Sequence, residues 1–291
     1  MDIVIVKSSY NLDIFCYHYP MPSRRKPTAE WDKMASWWHA EAADRGVYHQ
    51  YTDIDPVVKK LLGSVKGKKV VEIGCGNGYF SRVLAKSGAK VTAFDVSTEM
   101  IAIASTEEKK KPLGIVYLHR DAARLHEIKS GSFDIAVANM VLMDIANIEV
   151  AIKEIGRVLK PSGRLVFSIL HPAFMFDGTW ENIKGKNRYG RIVWRYLCPY
   201  IDINHWDGRR LNTKGYVRPL EFYVKALRAA ELAVTDLREI ATKKPLHKVL
   251  VGKENMLRTS RYSSAIEKRE KLRSRKEIPC FLAVEAEKIC R

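Results

Sequence analysis

No apolar run in this sequence approaches the roughly 20 residues needed to cross a bilayer. Its start, Met1-Asp2-Ile3-Val4-Ile5-Val6, lacks the basic n-region and sustained apolar stretch of a secretory signal. A membrane span and secretion are therefore not expected, and a cytoplasmic protein is. Cysteine is scarce: Cys16, Cys75, Cys198, Cys280 and Cys290 are odd in number, scattered and without C-x-x-C spacing. That pattern argues against a disulfide framework and against a metal site, so no metal is expected. No internal repeat is present. Acids are outnumbered, 33 Asp+Glu against 50 Lys+Arg, for a formal net charge of +17. The excess concentrates in residues 173–218, with nine basic and four acidic side chains, and in 242–276, with twelve and three. Such a field attracts nucleic acid, anionic surfaces or acidic small molecules, and it equally fits a merely basic, solvated surface.

Against these absences stands Val70-Val71-Glu72-Ile73-Gly74-Cys75-Gly76-Asn77-Gly78-Tyr79-Phe80. A strand-like run carries an acid near its end, then glycines at alternate positions, then a helix-like segment. Glycines there permit a tight turn and close backbone approach by a ligand, and the helix start offers free N–H groups. Dinucleotide-binding loops read G-x-G-x-x-G, and the third such position here is Tyr79.

A regular alternation surrounds this loop. Strands are expected at Lys69–Ile73, Lys90–Phe94, 114–118, 133–138, 164–170, Leu232–Ile240 and 279–286. Helices are expected at 79–87, from Ser97 onward, at 148–159 and from Pro219. Strands alternating with helices imply parallel pairing through crossover connections. Upstream, Trp31, Met34, Trp37 and Trp38 suggest a helix, and a shorter one fits 54–62, with Pro56 early in it. Residues 1–27 read as an N-terminal appendage outside the core. Residues 171–218 break the rhythm with a long aromatic and basic stretch, read as a functional insertion. Lys160-Pro161-Ser162-Gly163 reads as a turn, and Glu267–Arg273 as a surface helix.

Further signals follow the glycine loop in order. Asp95 ends the second strand, where a carboxylate can accept ribose hydroxyls. Arg120-Asp121-Ala122 follows the third strand, Phe133 to Asn139 forms the fourth with Asn139 at its tip, and Arg157-Val158-Leu159-Lys160-Pro161-Ser162-Gly163 precedes the fifth. Together these five motifs, over roughly 69–172, resemble the class I S-adenosylmethionine (SAM)-dependent methyltransferases, and within them the small-molecule, type 11-like branch. Ser162 stands where that branch's signature has a glycine. The resemblance implies a doubly wound α/β fold: a seven-stranded, mostly parallel sheet in the order 3-2-1-4-5-7-6, the last strand antiparallel, with an insertion after strand 5. One domain over 28–291 is expected, with lid helices at 28–62 and a substrate cap at 171–218. It also implies SAM as cofactor, with Glu72, Gly74, Gly76 and Gly78 shaping the methionine and ribose pocket. Asp95 and Val96 would meet the ribose, Asp121 and Ala122 the adenine, and Asn139 the methionine end.

Trp37, Trp38, Tyr48 and Tyr51 are candidates for a lid over cofactor and acceptor, since aromatic faces tolerate a sulfonium cation. Packing of the same rings against the sheet is the competing account. His171, after the fifth strand, is the candidate base on the strength of its ordinary pKa near 6.5; Asp144 and His205 rank below it. No Asn/Asp-Pro-Pro-Tyr/Phe follows the fourth strand, which removes the usual device for planar amino groups, and no Pro-Cys offers a nucleophile. The expected reaction is O- or N-methylation of a small-molecule acceptor, an acidic one being admitted by the charge. An RNA methyltransferase and a SAM-binding subunit without catalysis are the alternatives.

Overall fold

In the computed structural model, residues 3–7, 13–17, 28–175, 178–183, 188–193, 196–206, 211–242 and 279–289 are described. A seven-stranded sheet organises the chain. Its strands are β3 (Lys69–Ile73), β4 (Lys90–Asp95), β5 (Val116–His119), β6 (Phe133–Asn139), β7 (Leu159–Leu170), β12 (Leu232–Ile240) and β13 (Phe281–Lys288). Their spatial order is β5-β4-β3-β6-β7-β13-β12. The first five are mutually parallel, and β13 runs antiparallel to both β7 and β12. In order of appearance this is 3-2-1-4-5-7-6, the expected topology.

The strands at the centre are covered on both faces, so they read as unbroken apolar runs rather than alternating ones. In β6 only Asp134 is not buried. One core layer joins the sheet to α5 (Ile148–Val158) and α6 (Leu220–Ala229) through Ile152, Ile155, Tyr223 and Leu227. The other joins it to α2 (Asp55–Leu62) and α3 (Tyr79–Lys86) through Val58, Leu62, Phe80 and Leu84. Local chemistry sets the helix ends. Gly63 stops α2 at φ 60°, and Ser97 caps α4 (Thr98–Lys110) by accepting from the Met100 amide at 3.2 Å.

Two boundaries differ from expectation for physical reasons. The third strand starts at Val116 because the Glu108 carboxylate accepts the amides of Leu113, Gly114 and Ile115, holding them out of the sheet. The Lys160–Gly163 turn lies inside β7 as a bulge: Leu159 faces Phe133, yet Arg164 faces Ile135. Ser162 there sits at φ 58°, a left-handed conformation that explains why glycine suits this position.

Outside the sheet, β1 (Ile3–Lys7) and β2 (Asp13–Tyr17) form a separate antiparallel hairpin. The insertion is two antiparallel hairpins rather than one long loop: β8 (Gly178–Ile183) with β9 (Arg188–Val193), and β10 (Tyr200–Trp206) with β11 (Leu211–Val217). The second packs on α1 (Thr28–Ala42), where the Trp206 ring lies 6.0 Å from that of Trp37 and 5.7 Å from that of Trp38. Lys214 Nζ pairs with Glu30 at 3.0 Å beside it. Cys75 and Cys280 are buried thiols. The surface helix expected at 267–273 lies outside the described residues. No helix among the described residues is long and apolar enough to cross a membrane.

Candidate functional site

A cavity of about 920 Å³ opens at the carboxyl ends of β3, β4, β5 and β6. This is the topological switch point, where successive crossovers leave β3 in opposite directions and the strand tips diverge. Its floor is the turn from β3 into α3. Gly74 adopts φ 67°, and a Cβ on it would meet Val141 Cγ2 at 2.2 Å. Gly78 adopts φ 76° with the Tyr117 hydroxyl 2.4 Å from where its Cβ would lie. These two contacts require glycine twice over, by conformation and by space. Around Gly76 nothing fills that position, so the backbone there is open to a ligand.

Asp95 locks this turn to β4. Its Oδ2 accepts the Gly76 amide and its Oδ1 the Ser97 amide, each at 2.8 Å. Burial nevertheless raises its pKa, the amides pulling the other way. Glu72, 2% exposed, accepts a short hydrogen bond from the Ser81 hydroxyl. Burial first, and the neighbouring Asp55 and Asp95 charges next, push it to about 8. Behind it, Asp55 at the start of α2 is raised by burial to about 6 and accepts from Asn139 Nδ2 at 3.0 Å and from the Tyr79 hydroxyl at 3.3 Å. Asn139 Oδ1 in turn accepts from Ser168 Oγ at 2.6 Å. Asp121 Oδ1 accepts the Ala123 amide at 2.9 Å and so shapes the turn after β5.

Charge separates the cavity from the rest of the molecule. Asp32, Glu72, Asp95, Asp121, Glu127 and Asp144 line it against Arg120 and Arg124, within a chain of net charge +17. Mutual repulsion among carboxyls held close together out of bulk water is relieved by a bound cation or by protonation. The cavity thus suits a positively charged ligand.

Glu72, Gly74, Gly76, Asp95, Val96, Asp121, Ala122, Asn139 and Trp38 all line this cavity. Gly78 does not: it packs against Tyr117, which donates to its carbonyl at 3.3 Å. Trp37 is also off the cavity, whereas Trp31 lies on it with Trp38. Helical periodicity explains this, since residues seven apart share a face and Trp37 lies about 100° round from Trp38. Tyr48 and Tyr51 pack on each other at 5.5 Å, with Arg45 over the Tyr51 ring, while Gln50 between them faces inward. His171 stands off the cavity as well. Its Nε2 donates to Glu239 Oε1 at 3.0 Å, its Nδ1 accepts the Ala173 amide at 3.2 Å, and its ring stacks on Phe174 at 4.6 Å. Burial lowers its pKa against the Glu239 charge, and it does not line the cavity. Both nitrogens are engaged in securing the end of β7. The side chain of His205 lies outside the described residues.

Two features, Asp32 and Arg218, went unread in the sequence, and a third, Asp144, ranked there below His171 as a base. Asp32 on α1 accepts from Ser97 Oγ at 2.6 Å, tying that helix to the rim. Asp144, in the turn Leu142–Asp144 after β6, lines the cavity, and burial raises it to about 8 against the pull of Arg218. Arg218, 1% exposed, donates through Nη2 to the carbonyls of Ile145 at 2.7 Å and Ala146 at 2.9 Å.

Comparison with known proteins agrees with this geometry. Residues 71–167 match the model of a methyltransferase domain. A ubiquinone biosynthesis O-methyltransferase of Nitrosococcus oceani is 30% identical over 147 residues, covering 49% of this chain and 61% of that protein. The chain thus matches about three fifths of the length of this relative. Among solved structures, a SAM-dependent methyltransferase from Mesorhizobium loti superposes with TM-score 0.62 at 24% identity, over 82% of this chain and 97% of that one. The [4+2]-cyclase SpnF superposes with TM-score 0.51 at 19% identity, over 82% of each chain. Identities this low establish the fold, and the second shows that the fold does not dictate the reaction.

Proposed function

We propose that this chain, which carries a methyltransferase domain of the class I fold, transfers a methyl group from SAM to an oxygen or nitrogen of a small molecule, a hydroxyl oxygen being the favoured acceptor. The observation that carries the reading is the acid-lined cavity over the glycine turn in a strongly basic chain. When bound, SAM supplies an electrophilic methyl group on a cationic sulfonium. The donor set fits such a molecule: carboxylates for a cation and for hydroxyls, open backbone at Gly76, and aromatic walls.

Each residue then has a task. Asp95 has already oriented both oxygens on backbone amides, and the remaining lone pairs would accept ribose hydroxyls. Asp121 and the Ala122 amide would bind the adenine edge. Glu72 and the backbone at Gly74 would bound the methionine end, where an ammonium group would relieve Glu72. Trp31, Trp38, Met140, Val141 and Ile145 would enclose an apolar or aromatic acceptor body and exclude water. The enzyme's contribution is alignment for an in-line displacement plus removal of a proton. The acids of the cavity favour a neutral or cationic acceptor over an acidic one. The O-methyltransferase name of the Nitrosococcus oceani relative supports an oxygen acceptor.

The test has two stages. SAM and its demethylated product, S-adenosylhomocysteine, are titrated by calorimetry and thermal shift, and both are expected to bind and raise Tm. Labelled SAM is then incubated with cell extract, and label is expected in the small-molecule fraction. Failure of both compounds to bind overturns the cofactor assignment. Label confined to RNA overturns the acceptor class.

A further inference from the structure

The acids of the cavity differ in how far they are already committed. Asp32 accepts from Ser97 Oγ, Glu72 from Ser81, Asp95 from two amides, Asp121 from the Ala123 amide, and Glu127 from Arg120 at 2.6 Å. No hydrogen bond from the described residues reaches the Asp144 carboxyl, which opens on the cavity beside Met140, Val141 and Ile145. An acid left unpartnered next to an apolar wall costs stability unless something binds there.

Arg218 is the second, independent anomaly. It is 1% exposed, and its Nε and Nη1 make no hydrogen bond among the described residues. Its Nη2 grips the carbonyls of Ile145 and Ala146, immediately after Asp144, and the Tyr216 and Phe222 rings lie 4.9 and 5.6 Å from its guanidinium carbon. No carboxylate lies within salt-bridge distance of it among the described residues. A buried cation retained without a paired anion is an expensive way to hold a loop, unless its field is itself used.

We propose that Asp144 takes the proton of the acceptor's hydroxyl or amine, and that Arg218 is its positioning residue. The proposal rests on the methyltransferase reading above. The acceptor's lone pair forms the new bond to the methyl carbon, and the sulfur–methyl bond breaks with its pair going to sulfur. The acceptor proton passes to the Asp144 carboxylate and then to solvent. Arg218 acts twice: it fixes the backbone that carries Asp144, and its charge favours the ionised carboxylate.

Other charges face this group. Asp95 across the cavity raises the Asp144 pKa, and Arg218 lowers it. The hydroxyls of Tyr216 from β11 and Tyr223 from α6 lie close enough to feel its charge. With burial, the balance places Asp144 at about 8, near the range in which a base both accepts and returns a proton.

The experiment reads Asp144 directly. In full-length protein labelled with carboxyl-13C aspartate, the Asp144 resonance is assigned by its loss in Asp144→Asn and titrated by NMR. Arg218→Met is expected to move its midpoint upward by about one pH unit, and Arg218→Lys to leave it near the wild-type value. An unmoved midpoint in Arg218→Met overturns the positioning role, even where the variant has lost some stability. S-adenosylhomocysteine affinity is measured on the same samples and is expected to change less than about threefold in Asp144→Asn. Methyl transfer into the small-molecule fraction is expected to fall at least about 100-fold in Asp144→Asn, and its acid limb to rise with the Asp144 midpoint in Arg218→Met. Full transfer by Asp144→Asn overturns the base assignment. Wild-type protein that fails to bind S-adenosylhomocysteine overturns the methyltransferase reading instead.

Discussion

At their amino ends β3 and β4 begin with Lys69 and Lys90, and exposed Lys66, Lys68 and Lys86 flank them. At their carboxyl ends the same two strands finish on Glu72-Ile73 and on Asp95. One sheet therefore separates a lysine-rich end from an acid-rich end. The lysines have a local cause. The last turns of α2, α3, α4, α5 and α6 all carry Lys or Arg, where helix carbonyls present the negative end of the dipole. The acids have no such cause. They gather where helix N-termini already favour negative charge, but their number goes beyond capping, and the raised pKa values of Glu72, Asp95 and Asp144 show the cost. Net charge, whose excess lies mostly in 173–218 and 242–276, does not report this division; ligand chemistry is set at the acid-rich end.

The comparison breaks most readily at the glycine turn. Gly74→Val would drive a side chain into Val141 at a left-handed φ, so S-adenosylhomocysteine binding should vanish and Tm fall by about 6–12 °C. Calorimetry and a thermal melt check this, and retained binding would mean the turn is not the floor of the site. Next, Asp95→Ala should weaken S-adenosylhomocysteine about 30- to 100-fold, the loss of about 2–3 kcal/mol of hydrogen bonding to a charged group. Asp95→Asn should lose less, because an amide oxygen still accepts the Gly76 N–H.

A smaller effect follows from Glu72. Its folded pKa of about 8 lies above the ordinary 4.5, so the folded state binds the extra proton. Stability from this group is therefore full below 4.5 and declines as pH rises toward 8. Melts of wild type and Glu72→Gln should diverge through that window, the variant gaining relative stability. A constant difference would contradict a protonated Glu72. The smallest effect belongs to the lysine end. Replacing Lys66, Lys68 and Lys90 together by Gln should leave S-adenosylhomocysteine affinity within about twofold, because exposed charges beyond a Debye length are screened. A large change would show that the two ends are coupled.

Legibility in the sequence followed the same division. Gly74, Gly76, Asp95 and Asp121 could be read because each signal is local: a turn after a strand, or an acid at a strand tip. The choice between Trp31 and Trp37 depends on how α1 is rotated against Ser97 and Trp206, partners more than 60 residues away. His171 was the candidate base in sequence, and Glu239, 68 residues later, occupies it. Asp144 ranked below His171 as a base until Arg218, contributed by the segment after β11, was placed behind its loop.

The sequence by itself determined the alternation of strands and helices, hence the crossover topology, the switch point and the glycine turn that marks it. Those properties arise from periodicity, caps and backbone conformation, which act over a few residues. Only the tertiary structure decided the sign of charge in the cavity and which acid in it stays open. A pKa and an unmade hydrogen bond depend on everything packed around a group, and those neighbours come from elements far apart in the chain.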